Sequence, residues 1–109
     1  MTLRARKIVG GDPFDALGDP NRRAIVEQLR EGPRSVADIT AQMRISQPAV
    51  SRHLRLLKHA RLVSDEPEGA RRLYRLSDEG AEAIRAYMEE VWGDAVNRFR
   101  IAAENPPRR

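Results

Sequence analysis

Between residues 44 and 61 the apolar side chains Val50, Leu54 and Leu57 recur at helical spacing, with Gln47, Ser51, Arg52 and Arg55 set between them. That period gathers the first group on one face of a helix, where it can pack, and leaves the second group for a partner. A longer stripe follows at Ile84, Tyr87, Met88, Val91, Trp92, Ala95 and Phe99, again three or four residues apart in the main, and predicts a long amphipathic helix. Between the two lies a different pattern. Leu62 to Glu66 and Arg71 to Leu76 flank Pro67-Glu68-Gly69-Ala70, which predicts a two-stranded hairpin with glycine supplying the tight turn.

Capping residues mark where the helices begin. Asp12-Pro13 and Asp19-Pro20 each place an N-cap acid before a proline whose missing N–H costs nothing at the first helical position. The first of these helices is short, and the second carries Ile25, Val26 and Leu29 before Gly32-Pro33 stops it. Ser35 caps a third helix lined by Val36, Ile39 and Met43, with Asp38 as a shorter version of the capping-box acid. After a turn closed by Ile45, Ser46 caps a fourth helix with Pro48 in its first turn, and Ser77 caps the last one. Two helices across a short turn, then a hairpin, predict a mainly α fold with a small β-hairpin in the order α-α-α-α-β-β-α, a winged helix-turn-helix. The domain spans residues 12–103. Residues 1–11, with Arg4, Arg6 and Lys7 before Gly10-Gly11, are expected to form a flexible basic arm, and residues 104–109 a disordered tail.

A final helix over about residues 78–103 would be about 39 Å long, whereas a domain of this size has a radius of gyration of about 13 Å. It outreaches the core it has to cover. An apolar stripe of that length, with Trp92 and two other aromatic residues, is best buried against a second copy of the chain, so a homodimer is expected.

Charge sharpens the picture because it is regional. The 109 residues carry a formal net charge of +4, yet residues 44–61 hold Arg44, Arg52, Arg55, Lys58 and Arg61 with no acid. The segment from Ser77 to Val96 is the opposite, with Asp78, Glu79, Glu82, Glu89, Glu90 and Asp94 against Arg85. A basic helix with one packing face suits double-stranded DNA. Its Gln47 can pair bidentately with adenine and Arg52 or Arg55 with guanine, while Ser46 and Ser51 can reach bases or phosphates. His53 is expected on a phosphate or on neighbouring backbone, and His59 at the exposed helix end. Arg71 and Arg72 either enter the flanking minor groove or are solvated charges at the hairpin tip.

Other chemistries find little footing. The sequence has no cysteine, so disulfides and thiolate metal sites are excluded. His53 and His59 are six residues apart and do not share the i,i+4 face that chelates a metal; neither a metal nor a cofactor is implied. No nucleophile, base and orienting group occur together in a recognisable catalytic motif, so no enzyme is expected. No apolar run approaches the about 20 residues of a membrane span, and a cytoplasmic location follows as the expectation.

Three segments carry a resemblance to a known family: Leu17-Gly18-Asp19-Pro20-Asn21-Arg22-Arg23, Ile45-Ser46-Gln47-Pro48-Ala49-Val50-Ser51-Arg52-His53-Leu54 and Gly69-Ala70-Arg71-Arg72-Leu73-Tyr74-Arg75-Leu76. Together they resemble the ArsR/SmtB family of bacterial winged helix-turn-helix repressors over roughly residues 12 to 100. The resemblance implies a cytoplasmic homodimer paired through its first and last helices, which places Phe14 and Leu17 in the interface beside the stripe on the last helix. It also implies binding to inverted-repeat operators and repression, often of the protein's own gene. Many relatives sense metals through Cys-x-Cys in the third helix, where this chain has Ser35 and Ala37, or through His and carboxylates on the last helix, which here has no His. The resemblance is therefore to the non-metal-sensing members, and two forms of control are left open: an organic effector at the dimer seam, or nothing beyond the protein's own concentration. Two other functions fit the same charge pattern: a low-specificity architectural DNA binder, and a winged-helix module whose basic helix docks an acidic protein.

Overall fold

The computed structural model describes residues 11–104. Local chemistry sets its helix starts. The Asp12 carboxylate accepts from the Phe14 amide at 3.0 Å and opens α1 (Pro13–Ala16). Asp19 accepts from the amides of Asn21 and Arg22 and opens α2 (Pro20–Gln28), which tightens into a 3₁₀ turn over Leu29–Glu31. Ser35 caps α3 (Val36–Ala41) by accepting from the Asp38 amide at 3.2 Å, and Ser46 caps α4 (Gln47–His59) by accepting from the Ala49 amide at 3.3 Å.

The far end of α4 closes in a Schellman motif. The Leu62 amide reaches the Leu57 carbonyl and the Arg61 amide reaches that of Lys58, both at 3.0 Å, with Arg61 in the left-handed conformation at φ 64°. This turns the chain sharply from the helix into the sheet.

The sheet differs from the expected hairpin in two respects. Beside β2 (Val63–Glu68) and β3 (Arg71–Leu76) there is a third strand, β1 (Arg34–Ser35), which pairs antiparallel with β3 and gives the order β1-β3-β2. Its two residues are too few to show a period-2 pattern, and its partners Tyr74 and Leu73 lie far along the chain. The turn is also shorter than expected: β2 continues through Pro67 and Glu68, so only Gly69, at φ 63°, and Ala70 connect the strands. Proline is tolerated there because β2 is an edge strand.

Ile25, Ile39, Val50, Leu54 and Leu57 are fully buried and, with Leu29 and Val63, form the centre of the core. They fix α4 against α2, α3 and the sheet. Each buried aliphatic side chain contributes about 1.5 to 3 kcal/mol of transfer free energy.

The last helix, α5 (Asp78–Glu104), runs 27 residues and takes in Glu104, one residue beyond the expected end of the domain. Its length gives a radius of gyration of 17.6 Å and extents of 63 × 36 × 24 Å, against about 13 Å for a compact chain of this size. Val91, Trp92, Met88 and Phe99 remain exposed along it, Phe99 at 76%. Phe14 of α1 meets Tyr87 edge-on at 4.8 Å, and Tyr87 meets Trp92 at 6.1 Å. The residues expected in the interface do not act as one unit. Leu17 and Ile84 pack against the chain's own core, while Ala95 faces outward with the exposed group. The expected basic arm, apart from Gly11, and the tail beyond Glu104 lie outside the described residues.

Candidate nucleic-acid interface

Burial of Val50, Leu54 and Leu57 forces the opposite side of α4 outward. Gln47, Arg52 and Arg55 are exposed and Ser51 half-buried on that side, and among the described residues neither arginine has an ion-pair partner. Ser46 is exposed at the helix start, its hydroxyl engaged in the cap. Unpaired guanidiniums on a rigid helix, beside a side-chain amide, can form bidentate hydrogen bonds to base edges.

His53 is not on that face. Two residues from Arg55, it is turned about 160° away around the helix axis, and its Nδ1 sits 3.3 Å from Nη1 of Arg22 on α2. A guanidinium can only donate, so a hydrogen bond across this contact has Nδ1 as its acceptor. Where a phosphate or neighbouring backbone was expected, the structure places His53 against Arg22, a side-chain tie between α2 and α4. His59 is the exposed last residue of α4.

Arg22 explains part of the Leu17-to-Arg23 segment. Its Nε donates to the Ala16 carbonyl at 2.6 Å, and Nη1 of Arg23 donates to the Leu17 carbonyl at 2.7 Å, satisfying the end of α1 that the short helix leaves open. Asp19 is held below its usual carboxylate range, first by the hydrogen bond from the Arg22 amide and also by that from Asn21, with burial opposing. Sequence reasoning found Asp19 as a cap but missed Arg22, whose partners lie six and thirty-one residues away.

The hairpin does not present its arginines as free charges. Asp65, its side chain only 6% exposed, accepts from Arg72 Nε at 2.7 Å and meets Lys58 Nζ of α4 at 2.8 Å. Arg75 pairs with Glu66 at 3.1 Å, and Arg71 lies 4.0 Å from Glu68. Three acids of β2 thus face three arginines of β3, and the hairpin is close to electroneutral. The lysine hydrogen bond, followed by that from Arg72, keeps the Asp65 carboxyl below its usual range against the opposing effect of burial. Arg72 is correspondingly raised by Asp65. Of the two expected wing contacts, Arg71 is loosely paired and exposed, whereas Arg72 is committed to Asp65. The equal run of acids and bases on the two strands was the available signal; the pairing needed the register.

A cleft of about 370 Å³ separates the start of α4 from the hairpin tip, bordered by Gln47, Asp38, Arg71, Arg72 and Tyr74. Among the described residues no group of three or more His, Cys, Asp or Glu is arranged to hold a metal ion. No helix among them is long and apolar enough to cross a membrane.

A basic helix presented across a tight turn, seated on a three-stranded sheet whose hairpin stands beside it, defines a winged helix-turn-helix transcriptional regulator. Residues 19–65 match the family described as bacterial regulatory protein, arsR family. The chain is 44% identical over 86 residues to the HTH-type transcriptional regulator Rv2034 of Mycobacterium tuberculosis, covering 79% of this chain and 80% of that one. It belongs to the arsR family. A crystal structure described as a possible transcriptional regulator for arsenical resistance superposes with a TM-score of 0.70 at 32% identity, over 88% of this chain and 98% of that one. The solution structure of the homodimeric winged helix-turn-helix domain of Mb0332 from Mycobacterium bovis superposes with a TM-score of 0.61 at 28% identity, over 75% and 76% of the two chains. The family and the Mycobacterium tuberculosis relative are described as transcriptional regulators.

Proposed function

We propose that the protein is a cytoplasmic homodimeric repressor that binds an inverted-repeat operator. Two copies join through α1 and α5, and their α4 helices enter successive major grooves about 34 to 36 Å apart. Gln47, Ser51, Arg52 and Arg55 read base edges, Ser46 lies against the phosphates, and Arg71 is the wing residue nearest to being free for the flanking groove. Repression is steric, by occupation of the promoter. The observation that carries this reading is that Arg52 and Arg55 on the exposed face of α4 have no ion-pair partner among the described residues, whereas the three arginines of the hairpin are matched by acids. The exposed aromatic stripe on α5 and the homodimeric state of the Mycobacterium bovis relative support the second copy.

Footprinting on the DNA upstream of the protein's own gene tests the reading. A protected inverted repeat is expected; equal affinity for all sequences would leave an architectural binder, and no shift at micromolar protein would favour docking of an acidic protein. If an effector acts, the apolar seam between paired α5 helices suits an organic molecule. Thermal melts test this, since a ligand at 100 times its dissociation constant adds about 2.7 kcal/mol.

A further inference from the structure

We propose that Asp65 restrains sequence-independent DNA binding by withholding Lys58 and Arg72 from the phosphate backbone; this rests on the DNA-binding reading of α4. Lys58 lies eleven residues beyond Gln47, about 20° away around the helix axis, so it shares the wing-side edge of the face that carries Gln47 and Ser51. Arg72 borders the cleft between Gln47 and the hairpin tip. Both side chains are half-exposed, at 54% and 53%, and so are open to solvent and to a phosphate brought up by the proposed docking of α4. Their charged ends nevertheless converge on one carboxylate, at 2.8 and 2.7 Å.

That carboxylate is what makes the masking persistent. The Asp65 side chain is only 6% exposed with both cations in place, so pulling either cation onto a phosphate gives up one of the two charge-assisted hydrogen bonds to that carboxylate. Among the described residues Arg52 and Arg55 have no such tether. A long, mobile cation satisfies a phosphate in any register and on any sequence, so two masked cations mean less binding to random DNA. Asp65 acts through its neighbours and is a positioning residue; it does not itself meet DNA.

The test is the salt dependence of binding to a random-sequence duplex, followed by fluorescence anisotropy from about 50 to 300 mM salt. Asp65→Asn should steepen the slope of log affinity against log salt by about 1 to 2, because each cation reaching a phosphate adds about 0.9. Adding Lys58→Met and Arg72→Met to that variant should return the slope to the wild-type value. Arg72→Gln alone decides the matter even if Asp65→Asn fails to fold, a point melting curves settle. A masked Arg72 leaves the wild-type slope unchanged, whereas an Arg72 on a phosphate would take about 0.9 from it. An unchanged or shallower slope in folded Asp65→Asn, or that loss in Arg72→Gln, overturns the inference. A wild type with no affinity for any duplex sinks the DNA-binding reading itself, and this inference with it.

Discussion

The Gly80 amide donates to the Arg61 carbonyl at 2.8 Å, and a β-carbon on Gly80 would stand 2.6 Å from that same oxygen. The first turn of α5 therefore crosses the corner between α4 and β2 in direct backbone contact. Only glycine permits the approach, and Leu62, 2.8 Å from the same added carbon, crowds it further. Because the obstructing oxygen belongs to backbone held by the Schellman motif, it cannot swing away. Gly80→Ala is expected to destabilise the fold by about 2 kcal/mol or more, lowering the thermal midpoint by about 8 °C or more. An unchanged midpoint in a calorimetric scan would contradict the close crossing.

The Asp65 carboxylate should make stability depend on pH in a defined direction. Its two cationic neighbours hold the folded-state pKa below the ordinary carboxylate value, so the folded state favours the ionised form more than the unfolded chain does. The contribution is fully present above the unfolded value of about 3.9 and is lost as pH falls through the folded one. Wild type should exceed Asp65→Asn in urea midpoint at neutral pH, with the gap closing in acid below about pH 4. A gap independent of pH would remove the ion cluster from the energetics of folding.

Trp92 tests the second copy of the chain. It is 46% exposed, with Met88 and Val91 exposed beside it on α5, and a glutamate there would put a charge into the proposed dimer seam. Trp92→Glu should halve the mass measured by light scattering after size exclusion and weaken operator binding in parallel. Helical content should remain close to wild type, because the side chain is half-exposed and, among the described residues, its ring contact is with Tyr87. A variant that stays dimeric would place the interface elsewhere.

Arg52 separates base reading from phosphate attraction. Its guanidinium is exposed and unpaired among the described residues, so Arg52→Ala should leave the melting temperature within about 2 °C while costing about 1 to 3 kcal/mol of operator affinity if it reads a base. Binding-site selection with the variant should then show relaxed preference at one position of each half-site. Uniform weakening on every sequence would make Arg52 a phosphate contact instead.

Much of the fold was legible because its signals are local. The caps at Asp12, Asp19, Ser35 and Ser46 act on amides two or three residues ahead, and the stripes of α4 and α5 repeat every three or four residues. Caps and period together determine where each helix starts and which face of α4 is left for a partner. The unpaired state of Arg52 and Arg55 was not in the sequence, but their outward direction was.

What only the tertiary structure decided involves partners far apart in the chain. The β1 strand exists because Arg34 and Ser35 reach Tyr74 and Leu73, and no two-residue segment announces such a pairing. His53 meets Arg22 because α2 packs on that flank of α4. Arg72 is withheld because the hairpin register and the end of α4 bring Asp65 between two cations. Helix propensity and capping are settled over one turn of chain, whereas the charge that DNA meets depends on which side chains the fold has already paired.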